Sequence, residues 1–395
     1  MGTILVTWEL GGGLGHTVRL APVLRGLRER GHTVFAALRD LSRVDAAYNE
    51  IGVTCLQAPI KTKKAANYIE PPRTFPHILH NVGFGDFHEL RALSKAWRDL
   101  YDLVRPDLIL FDHSPTALLA ARACEAMRAV VGTGFCCPPD EAPFRDLRPW
   151  LPDDSAKLAR DEQHVLEQVN RLLAEWELAP LDRLSQFYAE VDETFLCTFP
   201  ELDHYPGRRN ATYRGAPWEK GGKPPVWPEG DGRRVYAYLK SFPALPNLLE
   251  QLASTGNPAV LLIDGVESGT LERHQSPTIR FEQERLDMSR VAHECDLAIL
   301  NGGHGSTAAM LMHGKPILEI PILLEQLVTS RAVVRLGAGL GASPKDSHQI
   351  GQKLMAMLTG DHYAQAARRF AAKYADFDPG QQIESMTRRL DELVA

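Results

Sequence analysis

His16 follows an apolar run, residues 3–9, and a glycine-rich turn, Gly11-Gly12-Gly13-Leu14-Gly15. A side chain there stands at the carboxyl end of what reads as a buried strand, the end at which open parallel sheets bind ligands. Histidine ordinarily titrates near pH ~6.5, which suits an imidazole to take a proton at neutral pH. Asp112 closes a second apolar run, Asp107-Leu108-Ile109-Leu110-Phe111. A carboxylate held against one ring nitrogen fixes the tautomer of an imidazole and stabilises the imidazolium that forms. The two residues are therefore a candidate base and its orienter. Either could instead do no more than cap a helix. Asp107 stands at the wrong end of the same strand. His113, next in sequence, is expected to point to another face.

A second group is Asn301-Gly302-Gly303-His304-Gly305-Ser306-Thr307, after the apolar strand 297–300 and before a helix expected over 308–313. Glycines after a strand let the backbone approach a ligand closely. Free N–H groups at a helix start, with two hydroxyls, make an anion site suited to a diphosphate. The spacing is not that of a P-loop. Glu325-Gln326 follow the break at Pro321 and could bind sugar hydroxyls, although Glu in a first turn is also ordinary capping.

The elements that would position these groups alternate in type. Strand 3–9, a helix carrying Leu20, Val23, Leu24 and Leu27 on one face, and strand 33–38 form a βαβ unit. Helical spacing runs over 88–104, a strand over 107–112, a helix over 115–126 and a strand over 129–132. Residues 138–155 read as a long loop and 157–190 as helix broken at Pro180. The Gly- and Pro-rich stretch 216–234 reads as a linker. Strands at 235–239, 259–264, 279–281, 297–300 and 317–320 follow, and the last thirty residues read as charged amphipathic helix. The expected architecture is α/β, with domains at 1–215 and 235–395 and parallel sheets flanked by helices.

Composition excludes several classes. With 44 basic residues and a net charge of −6, the chain is not a dedicated nucleic-acid binder. Its six cysteines form no C-x-x-C pair and no zinc spacing, as expected of reduced thiols in the cytoplasm. No apolar run approaches the ~20 residues of a membrane span. The state expected is a monomer or homodimer.

The order of these pieces resembles the nucleotide-sugar-dependent glycosyltransferases of the UDP-glucosyl/glucuronosyl transferase type, including bacterial macrolide and antibiotic glycosyltransferases. Gly13 to Val34 looks like that family's first βα unit, and Pro106 to Asp112 like its Asp strand. Asn301 to Ser306 stands where the family has His-Gly-Gly-x-Gly-Thr/Ser. Ile320-Pro321-x-x-x-Glu325-Gln326, then Arg331 and Gly337-x-Gly339, looks like its Pro-x-x-x-Asp/Glu-Gln, Arg, Gly-x-Gly run. The resemblance implies a GT-B fold of two facing Rossmann-like domains, with the last helix crossing back to the first domain. It implies metal-independent, inverting transfer, with His16 as base and Asp112 as its partner. Asn301, Gly302, Gly303, His304, Gly305, Ser306 and Thr307 would hold the diphosphate, and Glu325 and Gln326 the sugar. No cofactor is implied beyond the nucleotide-sugar co-substrate, a UDP-sugar in preference to a TDP-sugar. Asn301 departs from the motif's His. Lys240-Ser241 departs from its Gly-Ser, and Lys240 could supply the missing charge. Phe281 is the nearest match to the aromatic that frames the base. A non-catalytic nucleotide-sugar-binding protein, or an epimerase on the same fold, is the alternative.

Overall fold

A computed structural model describes residues 1–12, 15–44, 48–216, 221–266 and 268–395. Gly13 and Leu14 of the glycine-rich turn and residues 217–220 of the expected linker lie outside the described residues. The chain divides into two compact units. The first is Met1–Thr198, Gly207–Pro217 and Pro379–Ala395, and the second is Phe199–Pro206 and Trp218–Asp378.

In the first unit the strands are β1 Thr3–Trp8, β2 Thr33–Leu38, β3 Thr54–Gln57, β4 Leu108–Asp112, β5 Met127–Gly132 and β6 Glu193–Leu196. They pair in parallel in the order β3-β2-β1-β4-β5-β6. Side chains alternate across β1. Ile4, Val6 and Trp8 pack into the cluster that holds Leu20, Leu24 and Leu27 of α1 (Gly15–Glu29). Leu5 faces the opposite cluster, with Ile109 and Phe111. Parallel strands buried on both faces have this double lining. Further helices of the unit are α2 Phe75–Leu79, α3 Phe87–Val104, α4 Pro115–Ala120, α5 Ser155–Glu175 and α6 Gln186–Ala189. The expected helix 115–126 stops as α4 and a 3-10 turn at Ala123, because Cys124 is extended (φ −117°, ψ 154°) and leads into β5.

The second unit repeats the plan. Strands β7 Val235–Lys240, β8 Ala259–Asp264, β9 Ile279–Glu282, β10 Leu297–Leu300, β11 Ile317–Glu319 and β12 Gly339–Gly341 are parallel, in the order β12-β11-β10-β7-β8-β9. Its helices are α7 Leu245–Thr255, α8 Ser268–Glu272, α9 Met288–Glu294, α10 His304–Met312, α11 Leu324–Arg335, α12 Ser347–Thr359 and α13 His362–Lys373. The last helix, α14 Pro379–Val394, packs on α1 of the first unit. In each sheet the order reverses once between adjacent strands, β1/β4 and β7/β10. Connections leave in opposite directions there and open a crevice at the carboxyl ends.

Candidate active site

His16 is the second residue of α1, reached from β1 through the glycine turn, and Asp112 is the last residue of β4. Trp8 and Asp112 are register partners, so both chemical groups stand at the first sheet's reversal point. His16 Nδ1 lies 3.0 Å from Asp112 Oδ2. Asp112 is fully buried, whereas 15% of the His16 side chain is exposed. The ring lies nearly parallel to those of Trp8 (centroids 5.2 Å apart) and His113 (6.4 Å). His113 was expected to point elsewhere. It faces His16 because the strand ends at Asp112 and His113 turns back with φ +47°. Gly11 (φ +82°) leaves room for the ring, since a Cβ there would lie 2.5 Å from His16 Nε2. Asp107 instead accepts from the Thr3 N–H at the opposite end of the sheet.

The second unit assembles its group at the β7/β10 reversal. Asn301 follows β10, and its side chain is committed. Oδ1 accepts from the Lys240 N–H at 2.6 Å, and Nδ2 donates to the Ile320 carbonyl at 2.7 Å. It ties together the ends of three strands. Gly302 (φ +82°) presses on α11, where a Cβ would meet the Gln326 carbonyl at 2.5 Å. The helix begins at His304, earlier than the expected 308, so Gly305, Ser306 and Thr307 fall in its first turn. Gly303 at its N-cap provides no side-chain cap. The helix dipole favours an anion at this end. Cβ atoms built on Gly303 or Gly305 would meet open space, and Ser306 is half-buried. His304 and Thr307 are buried, and the Thr307 hydroxyl donates inward to Glu319 Oε1 at 2.8 Å.

These features can be set beside known proteins. Residues 247–386 match the family model "Erythromycin biosynthesis protein CIII-like, C-terminal domain". A PGL/p-HBAD biosynthesis rhamnosyltransferase of Mycobacterium bovis (strain BCG / Pasteur 1173P2) is 24% identical over 407 residues, covering 96% of this chain and 86% of that protein. The fold is similar to spinosyn rhamnosyltransferase SpnG, with TM-score 0.66, 16% identity and coverage of 98% of this chain and 100% of that one. It is also similar to glycosyltransferase VinC, solved with DTDP, with TM-score 0.65, 15% identity and coverage of 99% and 98%. The chain is a GT-B glycosyltransferase.

Other residues marked in the glycosyltransferase sequence are distributed around the second unit. Lys240 ends β7 beside Asn301, and Ser241 follows it, exposed. Glu325 and Gln326 open α11. Gln326 Oε1 accepts from the Ile322 and Leu323 N–H groups, so it caps the helix and leaves only its amide NH2 for a ligand. Phe281 lies on the edge strand β9, packed on the unit's core and lining a cavity of about 460 Å³ with Trp227 and Arg280. Two strands, β7 and β8, lie between β9 and β10, so the two are three strand spacings apart, roughly 14 Å at ~4.8 Å per spacing. Among the described residues no group of three or more His, Cys, Asp or Glu is placed to hold a metal ion, and no helix is long and apolar enough to cross a membrane.

Two charged residues escaped the sequence reading. Arg19 donates from Nη2 to Asp112 Oδ1 at 2.7 Å. Its signal was its place one helical turn after His16. Burial works to raise Asp112, but Arg19 and then His16 outweigh it and hold the carboxyl below its ordinary value. Glu319, buried at the end of β11, carried no signal beyond a lone charge in an apolar run. Burial pushes its carboxyl up to about 7, against the Thr307 hydroxyl and the Gly302 N–H.

Proposed function

We propose that this glycosyltransferase moves a sugar from a nucleoside diphosphate to an acceptor hydroxyl with inversion at the anomeric carbon, using His16 as base and Asp112 as its partner. The observation that carries this reading is the 3.0 Å contact from His16 Nδ1 to Asp112 Oδ2. With the Nδ1 proton assigned to that hydrogen bond, the lone pair on Nε2 is free. Nε2 takes the acceptor proton, the acceptor oxygen bonds to the anomeric carbon, and the bond from that carbon to the phosphate oxygen breaks. The electron pair leaves on the diphosphate. Growing negative charge on that leaving group is met by fixed N–H groups at the start of α10, with Gly303, Gly305 and Ser306 around it. Lys240 adds charge from β7, and Glu325 with the Gln326 amide addresses the sugar. Asn301 acts by ordering this loop, since both ends of its side chain are engaged. No metal is required in this scheme, and turnover should survive a chelator.

The acceptor is a small molecule or glycan. UDP- and TDP-linked sugars, rhamnose included, are the donors to screen, given the rhamnosyltransferases among the similar proteins and DTDP in VinC. The test is release of nucleoside diphosphate that depends on acceptor. His16→Ala should lower kcat by ~10²–10⁴-fold while the donor-induced rise in melting temperature persists. Unchanged turnover, or a donor shift lost along with it, would overturn the assignment.

A further inference from the structure

Asp112 has two oxygens, and one helix supplies a partner to each. His16 Nδ1 meets Oδ2 at 3.0 Å, and Arg19 Nη2, three residues along α1, meets Oδ1 at 2.7 Å. The Asp112 side chain is 1% exposed and that of Arg19 18%. The carboxylate therefore cannot turn without breaking both bonds in a site with little water to replace them. The mechanism above uses only the His16 side. We propose that Arg19 is a positioning residue for the transfer reaction, clamping Asp112 so that one oxygen stays on His16 Nδ1 and offsetting the carboxylate charge that the imidazole feels. This rests on His16 being the base.

The physical reason is a conflict. A buried carboxylate with no counter-charge would hold an imidazolium so firmly that the ring would stay protonated, and a protonated ring accepts nothing. A paired carboxylate still fixes the tautomer but attracts the second proton less. Guanidinium suits this task, because it stays charged at any working pH and presents a rigid fork. The other ionisable groups around this cluster are His113, Tyr48, Cys136, Cys137 and Cys197, with Glu9 just after β1 and Arg208 and Arg214 on the far side of the cysteines. Burial pushes Tyr48 and Cys137 up, Cys197 up to about 11 and Glu9 up to about 8, which keeps them neutral near pH 7. Arg19 is the pH-independent cation that bonds Asp112 directly.

The experiment uses the full chain. Arg19→Met removes the charge and keeps the length, with Arg19→Gln in reserve should Met not fold, and Arg19→Lys restores the charge without the fork. Turnover is measured across pH, and the His16 ring is titrated by NMR. Arg19→Met should lower kcat about tenfold or more with donor KM changed less than about twofold, as expected when a group acts only on the transition state. The acid limb of its pH profile, and the NMR midpoint of the ring, should both move up by on the order of one pH unit. Arg19→Lys should return the limb close to its original position. An equal loss at every pH with the ring midpoint unmoved would reduce Arg19 to a structural residue and sink the proposal. A moved midpoint in a protein whose His16→Ala variant keeps full turnover would instead overturn the base assignment, and the role of Arg19 in the reaction with it.

Discussion

At the scale of single residues, the proposed acceptor-side site depends on what surrounds His16 as much as on His16 itself. Trp8 and His113 lie parallel to the ring, Asp112 holds Nδ1, and Gly11 leaves room beside Nε2. Gly11 is doubly constrained. Its φ of +82° disfavours any side chain, and a Cβ would come 2.5 Å from the atom proposed to take the proton. Gly11→Ala should therefore displace the ring, lower kcat by about tenfold or more and cost on the order of 1–2 kcal/mol of stability. Donor-induced stabilisation, assigned by the proposal to the second unit, should be unchanged. A variant with near-normal kcat would show that Nε2 does not need the space.

At the scale of elements, the sequence exposed the strands that bury apolar runs and hid those that do not. The runs 33–38, 259–264 and 297–300 were legible residue for residue, because parallel strands covered on both faces must be continuously apolar. β3, Thr-Cys-Leu-Gln, lies at a sheet edge and is half-exposed, so its composition carries no such run. β12 is Gly-Leu-Gly, and glycine argues against a strand. It is glycine by necessity, since a Cβ on Gly339 would lie 1.9 Å from the Ile317 carbonyl of β11. The candidate site was legible where residue type and position marked a group, as with His16 and Asp112, whose side chains meet at 3.0 Å, and illegible where a contact depends on a partner far along the chain. Asn301 as a tie between strands, Arg19 on Asp112 and Glu319 beneath the glycine loop are of that second kind. Glu319 allows a test of how this loop is supported. Its carboxyl lies at about 7, above the ordinary 4.5, so the folded protein holds a proton that the unfolded chain releases. Stability from this group is full below about pH 4.5 and is lost as pH rises towards 7. Glu319→Gln keeps an acceptor for Thr307 and Gly302 without the charge. Its melting temperature relative to the parent should rise between pH 5 and pH 8, by an amount worth on the order of 1–3 kcal/mol. A difference independent of pH would mean that Glu319 is ionised throughout.

At the scale of the whole molecule, the chain does not finish one unit before starting the next. It leaves the first unit at Thr198, docks Phe199–Pro206 in the second, returns for Gly207–Pro217, and comes back once more with α14. Each excursion is anchored by apolar contacts within the unit it joins. The Phe199 ring sits 5.3 Å from Phe370, 4.5 Å from Tyr374 and 5.2 Å from Phe377. On α14, Met386 and Leu390 are buried in the cluster shared with Leu20 and Leu24 of α1. The two helices approach closely at Gly26, where a Cβ would lie 2.8 Å from Thr387. His32 and Arg30 add hydrogen bonds to Asp391 and Glu384. α14 is thus part of the core that supports α1, and α1 carries both His16 and Arg19. Removing residues 379–395 should uncover Leu20 and Leu24 and destabilise the first unit by on the order of 3–6 kcal/mol, taking each of the two large buried side chains at ~1.5–3. The second unit loses none of its own residues by that cut, so a nucleoside diphosphate should still raise its melting transition while acceptor-dependent turnover disappears. Equal loss of both properties would show that α14 supports the two units together, and retention of turnover would show that α1 holds His16 without it.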